Sequence, residues 1–301
     1  MSIAEVTFLR RGFRGGEEGV RQLLEQIGCT FLQGYHTALE EDQPEALALR
    51  LHGVEAELRG FAFEGAAMGL ALLDHLTPWR RDRWRAFLEG PGAAYIYMVH
   101  VGVGWAIARL PWLRRHMERP LARLDPLLRW LAVDGYGFHE GYFHGRRSVQ
   151  MQAVPGRLSG YLRRAFDQGL GRSLWFVEGA DVARLPATIA SFPLPRQADL
   201  WSGVGLASAY AGGVSRQALE ALWRAAGSHR PQLAQGAAFA AKARERAGNP
   251  AAHTTLACEV WGGLSADVAA RLTDAALQDL PPDGIEPAYE IWRRRLQAQF
   301  A

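Results

Sequence analysis

Asp134-Gly-Tyr-Gly-Phe-His-Glu-Gly-Tyr-Phe-His-Gly145 is the densest run of polar and aromatic groups in the chain. It carries one copy of a pattern that recurs along the sequence: aromatic residues, a variable residue, a glycine, three residues, then glycine or alanine. The copies are Phe63-Glu64-Gly65…Gly69, Tyr97…Gly102…Ala106, Phe138…Glu140-Gly141…Gly145, Phe176…Glu178-Gly179…Ala183, Trp201-Ser202-Gly203…Ala207 and Gln235-Gly236…Ala240. The second and last are loose matches. Their glycines step by 37, 39, 38, 24 and 33 residues, the range in which helical repeats fall.

Around these copies the chain alternates polar-faced and apolar stretches. Helices are expected over 17–27, 44–59 (broken by Gly60), 61–74, 79–89, 92–110, 120–131, 137–145, 157–168, 174–183, 200–210, 218–225, 232–246, 265–277 and 287–300. Ser215 is placed to cap the helix behind it. No stretch shows sustained period-two alternation. The expected fold is therefore all-α: a single domain over 1–301, built as a helical repeat, curved or closed around an apolar cavity. The proline-bearing stretch 186–195 is its weakest seam. Small residues four apart let helices approach closely, which explains each glycine pair without invoking function. If the copies superpose, the residues before the glycines (Glu64, Val101, Glu140, Glu178, Ser202 and Gln235) project from matching places toward one interior. Carboxylates in such surroundings are costly unless paired or functional.

Of the 301 residues, 49% are hydrophobic and 22% charged, enough for a sizeable core. The net charge of +3 is dispersed, and Lys242 is the only lysine. Runs such as Arg80-Arg81 and Arg293-Arg294-Arg295 read as solvated helix faces, so no nucleic-acid partner is expected. Cys29 and Cys258 form no framework, and with no secretory signal the expected location is the cytoplasm. Residues 91–108 lack charge but carry His100 and three glycines. They read as a helix buried in protein, with membrane-surface attachment as the lesser alternative.

His139, Glu140 and His144 invite a metal reading. In a helix, however, residues five apart diverge by about 140°, and the spacing departs from the zinc-binding His-Glu-x-x-His pattern; no metal is expected. Glu140 and His144, four residues apart, can face one another; the carboxylate would orient the histidine and raise its pKa, as an acid–base pair or as a structural hydrogen bond. Candidate acid–base residues are Glu64, Asp134, His139, Glu140 and Glu178. Tyr97, Tyr136, Phe138, His144, Trp175, Asp181, Asp199 and Trp201 are candidate substrate-binding residues, although a cap, turn or core role suits most of them equally well. Arg172 and Arg196 are candidate partners for Glu178, Asp181 and Asp199. Neither a phosphate loop, a dinucleotide fingerprint, an aspartate-rich diphosphate motif nor a nucleophile elbow is present, so no cofactor is expected.

Several long blocks resemble the UnbL family: Arg59-Gly-Phe-Ala-Phe-Glu-Gly-Ala-Ala-Met-Gly69, Asp134-Gly-Tyr-Gly-Phe-His-Glu-Gly141, Gly171-Arg-Ser-Leu-Trp-Phe-Val-Glu-Gly-Ala-Asp181, Ala198-Asp-Leu-Trp-Ser-Gly-Val-Gly-Leu-Ala207, Leu233-Ala-Gln-Gly-Ala-Ala-Phe239 and Ala288-Tyr-Glu-Ile-Trp-Arg293. Proteins of that family are encoded beside enediyne polyketide synthases in bacterial clusters. The resemblance implies a role in enediyne or related polyene natural-product biosynthesis; it carries no catalytic residues. The resulting expectation is a cofactor-independent cyclase or isomerase, acting on a linear polyene or isoprenoid-like small molecule by acid–base chemistry in a helical cavity. The alternatives are a carrier or scaffold that shelters a lipophilic intermediate for a partner biosynthetic enzyme, and a structural helical partner with no ligand.

Overall fold

The computed structural model describes residues 1–77, 79 and 82–301, and every regular element among them is a helix. The long helices are α1 (Glu18–Glu40), α2 (Ala56–Leu76), α3 (Ile96–Arg109), α4 (Arg129–Phe143), α5 (Tyr161–Val177), α6 (Leu194–Ala211), α7 (Arg230–Ala247), α8 (Ala252–Gly262), α9 (Ala266–Leu277) and α10 (Ala288–Gln297). From α1 to α7 each helix packs on the next in chain order, and α8, α9 and α10 lie against α7. The row also comes back on itself. The Phe61 ring of α2 meets the Tyr210 ring of α6 at 5.2 Å, and Arg244 of α7 donates to the Glu57 carbonyl of α2 at 3.2 Å.

Glycines set how closely these helices approach. A Cβ on Gly102 would lie 2.2 Å from the carbonyl oxygen of Glu64, one on Gly135 2.2 Å from that of Val101, and one on Gly169 1.8 Å from that of Asp134. Gly203 stands in the same way against Gln168, and Gly236 against Ser202. Each of these glycines therefore meets the carbonyl of the residue that precedes the corresponding glycine one helix earlier. A second set, two residues further on, faces the following helix: Gly104 against Ala132, Gly137 against Phe166, Gly171 against Leu200 and Gly205 against Leu233. No side chain fits at such separations, so backbone packs directly on backbone.

The glycines in equivalent places are thus Gly65, Gly102, Gly135, Gly169, Gly203 and Gly236, with steps of 37, 33, 34, 34 and 33 residues. Gly141 and Gly179, which the aromatic-led pattern selects, lie elsewhere. Gly141 faces the Ser173 hydroxyl, and Gly179 has a φ of +61° in the turn after α5.

Helix boundaries differ from expectation for related reasons. Gly60 sits inside α2 rather than breaking it, because it makes room for the Tyr210 hydroxyl, 2.0 Å from where its Cβ would stand. The break comes earlier, between Pro44–His52 and α2. The two helices expected over 157–168 and 174–183 are one, α5, whose Gly169 and Gly171 are packing positions rather than breakers. The expected helix over 120–131 is interrupted at 122–128, between Glu118–Leu121 and α4, and 252–262 is an unexpected helix. Ser215 caps the helix Arg216–Ala226 as expected, accepting from the Ala218 amide. The expected helix over 79–89 is seen as Arg83–Glu89; the Arg80-Arg81 run lies outside the described residues. The uncharged stretch 91–108 forms most of α3, which is buried along nearly its whole length. Among the described residues no helix is long and apolar enough to cross a membrane.

The glycine contacts are directly testable. Gly169→Ala should destabilise the fold by ~2–3 kcal/mol, the cost of forcing helices apart in a packed core. Gly19→Ala, where nothing lies within 4 Å, should be neutral or stabilising by up to ~1 kcal/mol. Urea unfolding of both variants measures the difference; equal effects would contradict the contact geometry.

Candidate functional site

Because each helix touches the next at these glycines, the residues immediately before them become neighbours. Asp134, Gln168, Ser202 and Gln235 form a buried hydrogen-bonded line across α4 to α7. Gln168 Nε2 donates to Asp134 Oδ2 at 2.9 Å, and Ser202 Oγ lies 3.5 Å from Gln168 Oε1 and 2.9 Å from Gln235 Oε1. Arg172, one turn beyond Gln168, donates from Nη1 to Asp134 Oδ1 at 2.5 Å. Its guanidinium stacks over Phe138, 5.1 Å from the ring centre. At the far end Arg293 of α10 lies 3.4 Å from Gln235 Oε1 and pairs with Asp199 and Glu290 at 2.8 and 3.0 Å.

Glu64 completes this interior from α2. It is 3% exposed and accepts one hydrogen bond, from the Trp105 indole at 2.9 Å. Burial raises its pKa to about 7; the nearby Arg172 charge and the indole bond lower it, but not enough to offset the lost hydration. The buried Arg172 instead spends its strongest contact on Asp134. Burial alone would lower the Arg172 pKa, but Asp134 and Glu64 together hold it above the ordinary arginine value. Burial thus favours the protonated form of Glu64 up to near neutral pH.

Two apolar voids flank this group. One, about 50 Å³, is lined by Tyr97, Val101, Asp134, Arg172, Leu206, Tyr210, Phe239 and Trp292. The other, about 40 Å³, is lined by Phe31, Phe61, Glu64, Trp105, Phe138, Tyr142, Phe143, Phe176 and, from the N-terminal segment, Met1 and Val6. Arg172, Leu206 and Tyr210 line both. Each void has room for a few water molecules at most.

A much larger open cleft, about 810 Å³, lies beyond Phe143. Its walls carry Arg11, Arg14, Arg114, Arg146 and Arg147 with Glu140, His144 and Glu178. Glu140 lines it, and the buried His139 lies against Glu140. His139 Nδ1 lies 3.2 Å from Glu140 Oε1, an arrangement in which the neutral ring donates, and its Nε2 has no hydrogen-bond partner. Burial lowers the His139 pKa to about 4, helped by Arg109 and His144 and opposed by Glu140. Burial would raise Glu140, but the bond from His139 and the charges of His144 and Arg114 outweigh it and hold it below its ordinary value. α4 ends at Phe143, and His144 leaves helical geometry with φ −126° and ψ 37°. That departure brings its ring to 5.8 Å from His139. Donor atoms of His139, Glu140 and His144 lie within 4.8 Å of one another, a set that could hold a cation despite the five-residue spacing. The arginines around it act against a cation.

A family model for proteins of unknown function, DUF1702, matches residues 1–300. The chain belongs to this family. No curated protein and no solved structure matches it.

In this DUF1702 chain the candidates from sequence separate into three places. Glu64, Asp134 and Phe138 meet in the interior around Arg172. His139, Glu140 and His144 meet at the cleft, where Glu178 also lies. Glu178 is already held there by Arg184 and Thr188, at 2.9 and 3.0 Å. The rest serve structure or stand apart. Trp175 donates to the Gly212 carbonyl at 3.2 Å, Asp181 caps the turn into Ala183 and Arg184, and Asp199 joins Arg164 and Arg293. Tyr136 packs on Phe166, and Trp201 is buried in α6. Tyr97 lines the outer void. Arg172 and Arg196 pair with Asp134 and Asp167, not with the acids suggested by sequence proximity. Gln168, and the buried Tyr289 whose hydroxyl accepts from Gln168 Nε2 at 3.2 Å, are not among the candidates from sequence; only the glycine step of 33 or 34 residues could have found Gln168.

The raised Glu64 pKa has a stability consequence. An acid whose folded pKa exceeds its unfolded value stabilises the fold below the unfolded pKa, and that contribution is lost as pH rises through the folded one. With Glu64 moving from 4.5 to about 7, the loss amounts to about 3 kcal/mol across that window. Urea unfolding between about pH 5 and pH 8 should show the wild type losing more stability than Glu64→Gln. Parallel pH profiles would contradict a raised Glu64.

Proposed function

We propose that this protein is a cofactor-independent cyclase or isomerase of a linear polyene or isoprenoid-like substrate, with Glu64 as proton donor. The observation that carries this reading is a carboxyl group buried among aromatic rings with one indole donor, a setting that pushes its pKa up to about 7. A general acid works best when it remains protonated near the operating pH. In the proposed step the Glu64 proton goes to an alkene carbon: a C–H bond forms, the π bond breaks, and a carbocation results. Arg172 stabilises the carboxylate left behind. The faces of Trp105 and Phe138 stabilise the cation while a neighbouring double bond attacks or a proton shifts. Return of a proton from the product cation to Glu64 closes the cycle with no net oxidation. Likeness to the UnbL family supports a polyene-derived substrate from an enediyne-type bacterial pathway. The unpaired Cys29 and Cys258 fit a reducing cytoplasm.

The small interior voids favour the second reading, a carrier or scaffold without turnover. Catalysis on a long substrate requires Arg172, Leu206 and Tyr210 to move so that the two voids join; a carrier can hold its ligand outside them.

Glu64→Gln keeps the shape and the indole contact but removes the proton. Incubation with candidate polyenes, followed by mass spectrometry, should give product with the wild type and at least ~100-fold less with the variant. Wild-type turnover should fall as pH rises through about 7, where Glu64 ionises. Stoichiometric recovery of unchanged polyene from both proteins would favour the carrier. Full turnover by the variant would remove Glu64 from the mechanism.

A further inference from the structure

We infer that the arginine cleft binds the phosphate or diphosphate head of an amphiphilic substrate whose hydrocarbon chain reaches Glu64. The inference rests on the reading of Glu64 above and adds a substrate class to it. Five arginines line this cleft, against two carboxylates, Glu140 and Glu178, and of the five Arg11 is paired with Glu5. Glu178 is occupied by Arg184 and Thr188. The side chains of Arg14, Arg146 and Arg147 make no hydrogen bond or ion pair with the described residues. They come from two separate segments, the N-terminal one and the turn after α4, and converge on one concavity. Gathering like charges in this way is unfavourable unless an anion neutralises them. Guanidinium groups match phosphoryl oxygens bidentately, and this many exceed what a single carboxylate needs.

The floor of the cleft leads inward. Phe143 lines both the cleft and the inner void, and Arg11 and Arg109 lie over its ring at 5.1 and 4.8 Å. The Trp105 ring is 5.8 Å from Phe143, and its indole nitrogen is on Glu64. The arginine-lined cleft and a buried acid are thus joined by two aromatic rings. A ligand charged at one end and apolar at the other fits that sequence of surfaces. A polyanionic macromolecule would meet the arginines but leave the aromatic floor unused.

The test uses the full chain and calorimetry with inorganic pyrophosphate, farnesyl diphosphate and farnesol. Farnesyl diphosphate should bind at least ~10-fold more tightly than either fragment, because head and tail sites add. The double substitution Arg14→Ala/Arg147→Ala, at two exposed positions, should weaken pyrophosphate and farnesyl diphosphate at least ~10-fold and leave farnesol unchanged. Circular dichroism should show the variant folded. Glu64→Gln should bind pyrophosphate like the wild type, so a failure of the proton-donor reading would leave this result standing. The inference is overturned if pyrophosphate fails to bind, if the double variant binds it unchanged, or if farnesol binds as tightly as the diphosphate. Tight binding of an RNA oligonucleotide with no preference for farnesyl diphosphate over pyrophosphate would overturn it in favour of a macromolecular anion.

Discussion

Backbone contact between successive helices is the constraint on which the interior depends. At Gly102, Gly135, Gly169, Gly203 and Gly236 the helices are so close that a methyl group would meet a main-chain carbonyl. Contact at this range fixes the rotation of each helix about its axis as well as its distance. The residue before each glycine must then face the residue before the next. That is why Asp134, Gln168, Ser202 and Gln235, each separated by 33 or 34 residues, form one hydrogen-bonded line. A larger residue at any of these glycines would separate two helices and break the line beside it.

Packed this tightly, the interior has few ways to satisfy its charges. Arg172 is shared by Asp134, which it binds, and Glu64, which it only approaches. Removing one partner of a buried pair leaves an uncompensated charge, so Arg172 and Asp134 stabilise the fold only as a pair. Glu64 has the opposite solution. With a single indole donor, the carboxyl carries less desolvation cost when it keeps its proton. The same close packing that keeps the adjacent voids small excludes the water whose loss raises its pKa. A carboxyl group that keeps its proton and a tightly packed interior therefore have one cause, and the N-terminal segment and Phe143 border the void beside that carboxyl.

The helical class was legible in the sequence because glycine and alanine at short spacing, without period-two alternation, leave little else. Gly65, Gly102, Gly203 and Gly236 were also legible as related positions, and with them Glu64, Ser202 and Gln235 as interior residues. Gly141 and Gly179 were misleading for a physical reason. The aromatics ahead of them, Phe138 and Phe176, line the inner void and follow Gly135 and Gly169 by three and seven residues. A pattern keyed to aromatic rings therefore slides by six to ten residues relative to one keyed to backbone contact. That slip put Glu140 and Glu178 in place of Asp134 and Gln168. Asp134 was still singled out, as a polar residue beside glycine, but its partner Arg172 lies one helix away, where no local spacing points. The convergence of His139 with His144 was hidden because α4 ends between them, so helical angles do not apply.

All of this places one requirement on Glu64: it must hold its proton until the solution is near neutral. Carbon-13 NMR of the protein labelled at glutamate side-chain carboxyls, assigned by comparison with Glu64→Gln, measures that directly. The Glu64 resonance should titrate with a midpoint near 7, well apart from the exposed glutamates. A midpoint near the ordinary value of 4.5 would mean that Glu64 is ionised at neutral pH, and the buried acid at the centre of the proposed chemistry would not exist.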